Sequence, residues 1–199
     1  SRRLPGGHAR EWLALITSVT LLLHVISLLQ AFLESKTAIT QTLIEPVPGV
    51  ALKLSIEPLG MMFAVIASLL WVINTIYSFG YMRGNNEKNQ TRFYVMFAVS
   101  LAAAMGIAYS ANLFTLFLFY EALTLSTYPL VAHKGDKATV RSARVYLGIL
   151  ISASIGLLLP AIIWTYSVAG TGDFTPGGIL RGHVEGPAIG LLLGLFVFG

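Results

Sequence analysis

Apolar residues run almost unbroken through five long stretches of the chain, and polar and charged residues gather between them. Each stretch holds about 20 residues or more, the number that an α-helix needs to cross a hydrocarbon layer about 30 Å thick. The pattern therefore predicts an all-α polytopic membrane protein whose five complete spans lie at about residues 12–33, 58–82, 93–111, 112–132 and 143–168.

A sixth apolar run, residues 187–199, stops at Gly199 and is too short to cross a bilayer. The chain also starts at Ser1 rather than at an initiator methionine, and its charged opening lacks the apolar segment of a signal peptide. We therefore expect an internal piece of a longer protein, with the start of a sixth span at its end.

The segment 34–57, between the first two predicted spans, has a different pattern. Its second half reads VALKLSIEP, in which apolar and polar residues alternate as they do in a short exposed strand. This alternation predicts a small hairpin on the outer surface. Glu57 and Pro58 then favour a helix start, because an acid suits the positive end of the helix dipole and proline suits the first turn.

Composition agrees with a membrane protein and narrows the chemistry. Hydrophobic residues make up 55% of the chain, charged residues 11%, and the mean hydropathy is +0.74, which excludes a water-soluble enzyme. The absence of cysteine excludes disulfides, thiolate metal sites and iron–sulfur ligation within this segment. The sequence has no metal-ligand spacing, phosphate-binding glycine loop or nucleophile arrangement, so we expect neither a cofactor nor a metal.

The basic residues indicate an orientation in the membrane rather than a nucleic-acid partner. The net charge is +4, and alternate connecting segments carry ten Lys and Arg against three in the others. Because cytoplasmic loops are enriched in Lys and Arg, this bias assigns the N-terminus and residues 83–92 and 133–144 to the cytoplasm. The nearly neutral segments 34–57 and 169–186 are then expected on the opposite side.

Small residues recur at every fourth position on two of the predicted spans. In a membrane such repeats allow helix backbones to approach closely, so we expect both faces to contact neighbouring helices. Proline in the fifth span should kink that helix or leave a backbone carbonyl free. The residues concerned are Ala98, Ala102 and Gly106, then Gly148, Ser152 and Gly156, and Pro160.

Glu121 is the only acidic or basic side chain in the fourth predicted span, NLFTLFLFYEALTLSTYPLVA. In a straight helix it lies roughly 13 Å from one end and 16 Å from the other, close to the middle of the hydrocarbon layer. A carboxyl group at this depth costs about 2.5 to 3.5 kcal/mol on insertion scales, and such residues commonly handle protons or ions. We predict that Glu121 transfers protons.

Thr124 and Tyr128 lie three and seven positions after Glu121 and form a polar stripe with it on one face of the helix. We expect this stripe to face protein or water, with the threonine and the tyrosine in supporting roles. An alternative interpretation remains open. Burial favours the neutral form of a carboxyl group, so Glu121 could be a protonated acid that is hydrogen-bonded to a neighbouring helix and serves packing alone.

The end of the fourth span is predicted to be loose. Pro129 disfavours helical geometry at Tyr128, just before the basic segment begins. His133 and Lys134 follow directly, and we predict that water enters from the cytoplasm beside them.

The segment that contains Glu121, FLFYEALTLSTYPLVAH, resembles the large antiporter-like membrane subunits of Mrp-type cation/proton antiporters and of proton-pumping NADH:quinone oxidoreductase, respiratory complex I. It looks most like the D-type subunits of the Mrp branch. The motif IYSFGYM at 76–82 and the region 141–174 also agree, whereas Glu57 stands where the family commonly has Asp.

The resemblance implies that residues 1–199 are the N-terminal part of an antiporter-like transmembrane domain of fourteen helices, from its second helix to the start of its seventh. It also implies that Glu121 couples electrostatically to a lysine on the seventh helix, which would lie beyond Gly199. The second half-channel of such a subunit is not contained in this sequence.

The resemblance further implies a proton-translocating subunit of a multisubunit Na⁺/H⁺ antiporter in the inner membrane of a prokaryote, with other membrane subunits as partners. A second possibility is a proton-pumping membrane subunit of complex I, which would make the chain part of an oxidoreductase, or of a related membrane-bound hydrogenase. A third is a scaffold subunit without transport activity, for which Glu121→Gln would be silent.

Overall fold

The computed structural model describes residues 6–35, 39–85 and 87–199. In these residues the chain forms a two-stranded hairpin and a bundle of apolar helices, with one π-helical turn at Ser154–Leu158. The elements, in chain order, are α1 (Gly6–Ser35), β1 (Ile39–Val47), β2 (Val50–Ile56), α2 (Pro58–Gly84), α3 (Gln90–Ala108), α4 (Leu113–Val131), α5 (Lys137–Ala153), α6 (Leu159–Ala169) and α7 (Pro187–Phe198).

Five helical segments are long and apolar enough to cross a membrane, as predicted: Ala9–Ser35, Pro58–Gly84, Gln90–Ala108, Leu113–Val131 and Lys137–Ala169. Two of the differences from the expected boundaries have a physical reason. The third helix ends at Ala108, three residues early, because residues 109–112 turn and run beside β2 instead. The fifth begins at Lys137, six residues early, since a helix can continue past the hydrocarbon while its long basic side chains reach water.

The predicted hairpin is confirmed. Strands β1 and β2 pair antiparallel, with Ile39 opposite Ile56 and Val47 opposite Val50. Strand β1 is exposed along its whole length, whereas β2 is partly buried against α4. Helix α2 begins at Pro58, as the sequence predicted, and its N-cap residue Glu57 has an extended backbone conformation.

Polar side chains connect neighbouring helices at each of the two ends of the bundle. At one end, which carries the basic segments, Arg83 near the end of α2 pairs with Glu11 of α1, and Arg10 donates a hydrogen bond to Thr91 of α3. We call this the basic end. The hairpin, the start of α4 and residues 170–174 meet at the opposite end, which we call the hairpin end. The described residues of the three segments that were assigned to the cytoplasm thus lie on one side.

Of the two proline effects that the sequence predicts, at Pro129 and at Pro160, the structure shows only the second. The prediction of a loosened end at Tyr128 and Pro129 is wrong: α4 stays helical to Val131, and the Tyr128 carbonyl accepts a hydrogen bond from Ala132 at 2.9 Å. Proline removes only one backbone donor, which a buried membrane helix can tolerate. Before Pro160, by contrast, the helix widens into the π-turn, which fits the predicted distortion.

The first small-residue face is used only in part among the described residues, because Ala102 is exposed and the close contact lies at Gly106. Gly106 lies against the Phe119 ring, which leaves no room for a side chain, and Ser100 bonds Ser126 across the same α3–α4 contact at 2.9 Å. The prediction for the face of Gly148, Ser152 and Gly156 is wrong for the described residues. Ser152 is exposed, and a Cβ added at either glycine would meet no atom within 4 Å.

Candidate functional site

Glu121 lies near the middle of α4, eight residues after its first residue and ten before its last. At 1.5 Å per residue these are about 12 Å and about 15 Å along the axis. The helix start is fixed by Asn112, whose side-chain oxygen accepts a hydrogen bond from the Thr115 N–H at 2.8 Å. The depth that the sequence predicted for the carboxyl group therefore agrees with the helix bounds.

Two faces of α4 are packed, and Glu121 borders one of them. Leu113 and Phe117 pack with Leu158 and Ile162 in one apolar cluster formed with the π-turn and α6. On the other packed face, the Phe119 ring contacts α3. Glu121 comes one turn after Phe117 on the same face of the helix.

On its other side, Glu121 borders the uncovered face of α4. Leu118 and Leu125, one turn before and one turn after it, are exposed. The Glu121 side chain is half-buried, and its Oε1 atom is fully buried without a hydrogen-bond partner among the described residues. The packing alternative requires a hydrogen bond to a neighbouring helix, and for this oxygen the described chain supplies none.

The polar stripe is buried in part. Thr124 is buried, and Glu121 and Tyr128 are half-buried. The three residues lie along one face of α4, from near its middle toward the basic end. Their part in proton transfer remains a prediction.

His133 lies two residues after the last residue of α4, at the basic end of the bundle. Its Nε2 atom lies 3.7 Å from Glu87 Oε2, its ring meets the Phe93 ring edge to face at 5.4 Å between centroids, and its carbonyl accepts a hydrogen bond from Arg92 at 3.3 Å. The His133 side chain is only 14% exposed, whereas Lys134 is exposed. Water entry beside these two residues stays a prediction. The pair with Glu87 becomes ionic only when the imidazole is protonated.

Sequence reasoning missed the pair of Glu11 and Arg83. Both Glu11 oxygens accept hydrogen bonds from the guanidinium, with 2.9 Å between Arg83 Nε and Glu11 Oε1, and the glutamate is 5% exposed. A signal was available. The acid lies at the start of one predicted span and the arginine just past the end of the next, and consecutive antiparallel spans bring these two ends together.

A second polar cluster lies at the hairpin end. Lys53 Nζ and Asp173 Oδ2 are 2.6 Å apart, and the Asn112 amide donates to the Ala51 carbonyl at 2.7 Å. The Lys53 N–H also donates to Thr115 Oγ1 at 2.9 Å. These contacts attach the hairpin and residues 170–174 to the start of α4, and so hold the helix that carries Glu121. Among the described residues, no group of three His, Asp or Glu side chains is arranged to hold a metal ion.

The described residues contain five helices that are long and apolar enough to cross a membrane, which defines a multi-pass membrane protein. Residues 110–198, which include Glu121, match the family described as NADH:quinone oxidoreductase/Mrp antiporter, transmembrane. Residues 110–198 therefore carry the transmembrane domain of that family, which confirms the resemblance seen in the sequence.

The curated relatives carry both names of this family. The chain is 28% identical over 124 residues to the Na(+)/H(+) antiporter D-type subunit of Alkalihalophilus pseudofirmus, covering 62% of this chain and 24% of the relative. It is 27% identical over 153 residues to the NADH-quinone oxidoreductase N-type subunit of Desulforudis audaxviator, covering 76% and 30%. The chain thus spans less than a third of the length of these two relatives.

Two solved structures share the fold. A subunit of the membrane-bound sulfane sulfur reductase, an archaeal respiratory membrane complex, superimposes with a TM-score of 0.78 over 94% of this chain and 38% of its own. A subunit of the Mrp complex from Dietzia sp. DQ12-45-1b superimposes with 0.74 over 96% and 35%. Both are 17% identical to this chain, so they establish the architecture only.

Proposed function

We propose that this chain forms the first half-channel of a proton-translocating subunit in a multisubunit monovalent cation/proton antiporter, with Na⁺ as the exchanged cation. The complex would lie in the inner membrane of a prokaryote, and Glu121 would take up and release the transported proton. The observation that carries the proposal is the buried Glu121 Oε1 atom, which has no hydrogen-bond partner in the described part of the chain. A group that serves structure alone would normally have such a partner.

The proton would reach Glu121 from the basic end. Thr124 and Tyr128 offer hydroxyl groups one and two turns along the same face, and a hydroxyl can both donate and accept a hydrogen bond. Water would complete the line toward His133 and Lys134. This route is part of the proposal.

A cation near Glu121 would control its affinity for the proton. The Coulomb energy between two unit charges about 4 Å apart rises several-fold when bulk water is replaced by protein, so forming and breaking an ion pair can load and unload a carboxyl group. Helix α7 packs its Phe196 on the cluster that holds Phe117, one turn from Glu121. A lysine delivered on this side of α4, by a continuation of α7 or by another subunit, would meet the carboxylate.

The test is Glu121→Gln in the full-length subunit within its complex, reconstituted into proteoliposomes. Glutamine keeps the size of the side chain but cannot carry a transported proton, so Na⁺-driven proton movement should be abolished while the complex still assembles. Ser126→Ala is the matched control, since Ser126 lies on the α3 side of the same helix, and it should keep exchange. Normal exchange by assembled Glu121→Gln complexes would refute the proposal.

A second candidate is a proton-pumping membrane subunit of an NADH:quinone oxidoreductase or a related respiratory complex. It is favoured by the relative named for NADH-quinone oxidoreductase and by the respiratory complex among the structural neighbours. Proteoliposomes separate the candidates. An antiporter moves protons when a Na⁺ gradient alone is applied, whereas the second candidate moves them only while its partner subunits carry out redox chemistry.

A further inference from the structure

A cavity of about 170 Å³ lies between α1 and α3 at the basic end of the bundle. One wall is the α1 face of Arg10, Leu13, Ala14 and Thr17, which recur at helical spacing. The opposite wall is the α3 face that begins at Thr91. Trp71 and Thr75 of α2 form the floor. The cavity is therefore an elongated groove that follows the helix axes into the bundle.

The groove is apolar along most of its length and polar at one end. Its walls continue from Leu13 and Ala14 to Val95, and both Leu13 and Val95 are exposed. The polar end holds Arg10, whose Nη1 donates to Thr91 Oγ1 at 2.7 Å, and the Tyr94 hydroxyl. An occupant must therefore combine a hydrocarbon chain with a polar head.

The charge at the polar end is positive. Arg10 Nε is buried and has no hydrogen-bond partner among the described residues, and the same holds for the Tyr94 hydroxyl. The neighbouring carboxylate of Glu11 is bound through both oxygens by Arg83. Arg10 forms no ion pair among the described residues, and it is the guanidinium that lines the groove.

We propose that this groove binds an anionic glycerophospholipid of the basic-end leaflet, with one acyl chain between α1 and α3 over Trp71 and the phosphate at Arg10 and Tyr94. Buried donors without partners are costly, and phosphate oxygens accept hydrogen bonds from a guanidinium strongly. A lipid whose headgroup lacks an ammonium suits the site best, because nothing in the headgroup then repels the arginine.

The larger groove at the hairpin end differs in charge. It has a volume of about 620 Å³ between α2 and α3, and its lining residues include Glu57 but no Lys or Arg. Hydrocarbon can fill either groove, but only the groove at Arg10 presents a cation to a headgroup. The selectivity for anionic lipid should therefore belong to that groove.

Trp71 permits a direct test, because it floors the groove and is 7% exposed. The full-length protein, with its other tryptophans replaced by Phe, among them Trp12 and Trp164, is reconstituted with phosphatidylglycerol or phosphatidylcholine brominated on the acyl chains. We expect brominated phosphatidylglycerol to quench Trp71 with about a fivefold preference over brominated phosphatidylcholine, the effect of one cation near the surface. Equal quenching by the two lipids would overturn the proposal.

Three variants test whether the preference belongs to the groove. Arg10→Gln should reduce it to about one, whereas Lys88→Gln, which removes an exposed charge from the same end, should keep it. Ala14→Leu should lower quenching by phosphatidylglycerol, because it fills the groove while Arg10 remains. A preference that survives Arg10→Gln, or that is lost equally in Lys88→Gln, would show a general surface effect and overturn the proposal.

Inorganic phosphate distinguishes a lipid from a free anion. Added to the parent protein, it should leave the quenching by brominated phosphatidylglycerol unchanged, because the acyl chain contributes to binding. Loss of quenching on addition of phosphate alone would assign the polar end to a free anion and would contradict the lipid site.

Discussion

Asn112 connects three parts of the hairpin end, and its replacement gives a prediction whose size follows from the structure. The side chain is 1% exposed. Its oxygen caps α4 through the Thr115 N–H at 2.8 Å, and its amide donates to the Ala51 carbonyl of β2 at 2.7 Å and to Asp173 Oδ1 at 3.4 Å. Alanine would remove the cap and the bridge together.

The expected loss of stability for Asn112→Ala has two parts. Losing an N-cap costs about 1 kcal/mol. Leaving the Ala51 carbonyl buried with only a long contact from Thr115 Oγ1, at 3.5 Å, costs about 1 to 3 kcal/mol more. We therefore expect a loss of about 2 to 4 kcal/mol in the free energy of unfolding, and a lower unfolding temperature.

The assay is thermal unfolding of the purified protein in detergent, followed by circular dichroism. Asp136→Ala is the matched control, because Asp136 caps α5 in the same way, with 2.9 Å from its Oδ1 to the Thr139 N–H, but is exposed and bridges no other segment. It should lower the unfolding temperature clearly less than Asn112→Ala does. Equal shifts for the two variants would refute the reasoning, since they would show that the bridge to β2 adds nothing.

Two further predictions concern packing and titration. Gly106→Leu should destabilise the protein by about 1 to 3 kcal/mol, because the new side chain overlaps the Phe119 ring. Gly148→Leu, at an open position, should change the stability by less than about 0.5 kcal/mol. Thermal unfolding of the two variants in detergent measures the difference. Hydrogen bonds from the Thr139 hydroxyl and N–H lower the pKa of Asp136, so its contribution to stability is present above the ordinary carboxyl range and is lost as the pH falls through the lowered pKa. Thr139→Val should raise that pKa, as an NMR titration of the Asp136 carboxyl carbon would show.

The spans, the hairpin and the depth of Glu121 follow from the sequence because each rests on a local pattern. An apolar run of about 20 residues forms a spanning helix in a bilayer, and the alternation of apolar and polar residues in VALKLSIEP predicts a strand. The start of α2 at Pro58 is equally local. None of these inferences requires knowledge of which helix neighbours which.

The errors concern what surrounds each helix. The face of Gly148 and Gly156 has the spacing of a packing surface, but lipid and protein neighbours are both apolar, so spacing alone cannot tell which one covers it. The local preference of Pro129 against helical geometry at Tyr128 predicts a loosened end, but α4 continues through both residues to Val131. The pair of Glu11 and Arg83 depends on which ends meet, and that becomes visible only when the spans are folded together.

The central claim is that Glu121 changes its protonation during transport. Infrared difference spectroscopy on the reconstituted full-length complex, with and without a Na⁺ gradient, measures this through the carboxyl C=O stretch, and Glu121→Gln identifies the contributing residue. The account predicts a carboxyl band that changes when the gradient is applied and is absent in Glu121→Gln. A gradient-dependent band that persists unchanged in Glu121→Gln, while the parent complex transports normally, would contradict it.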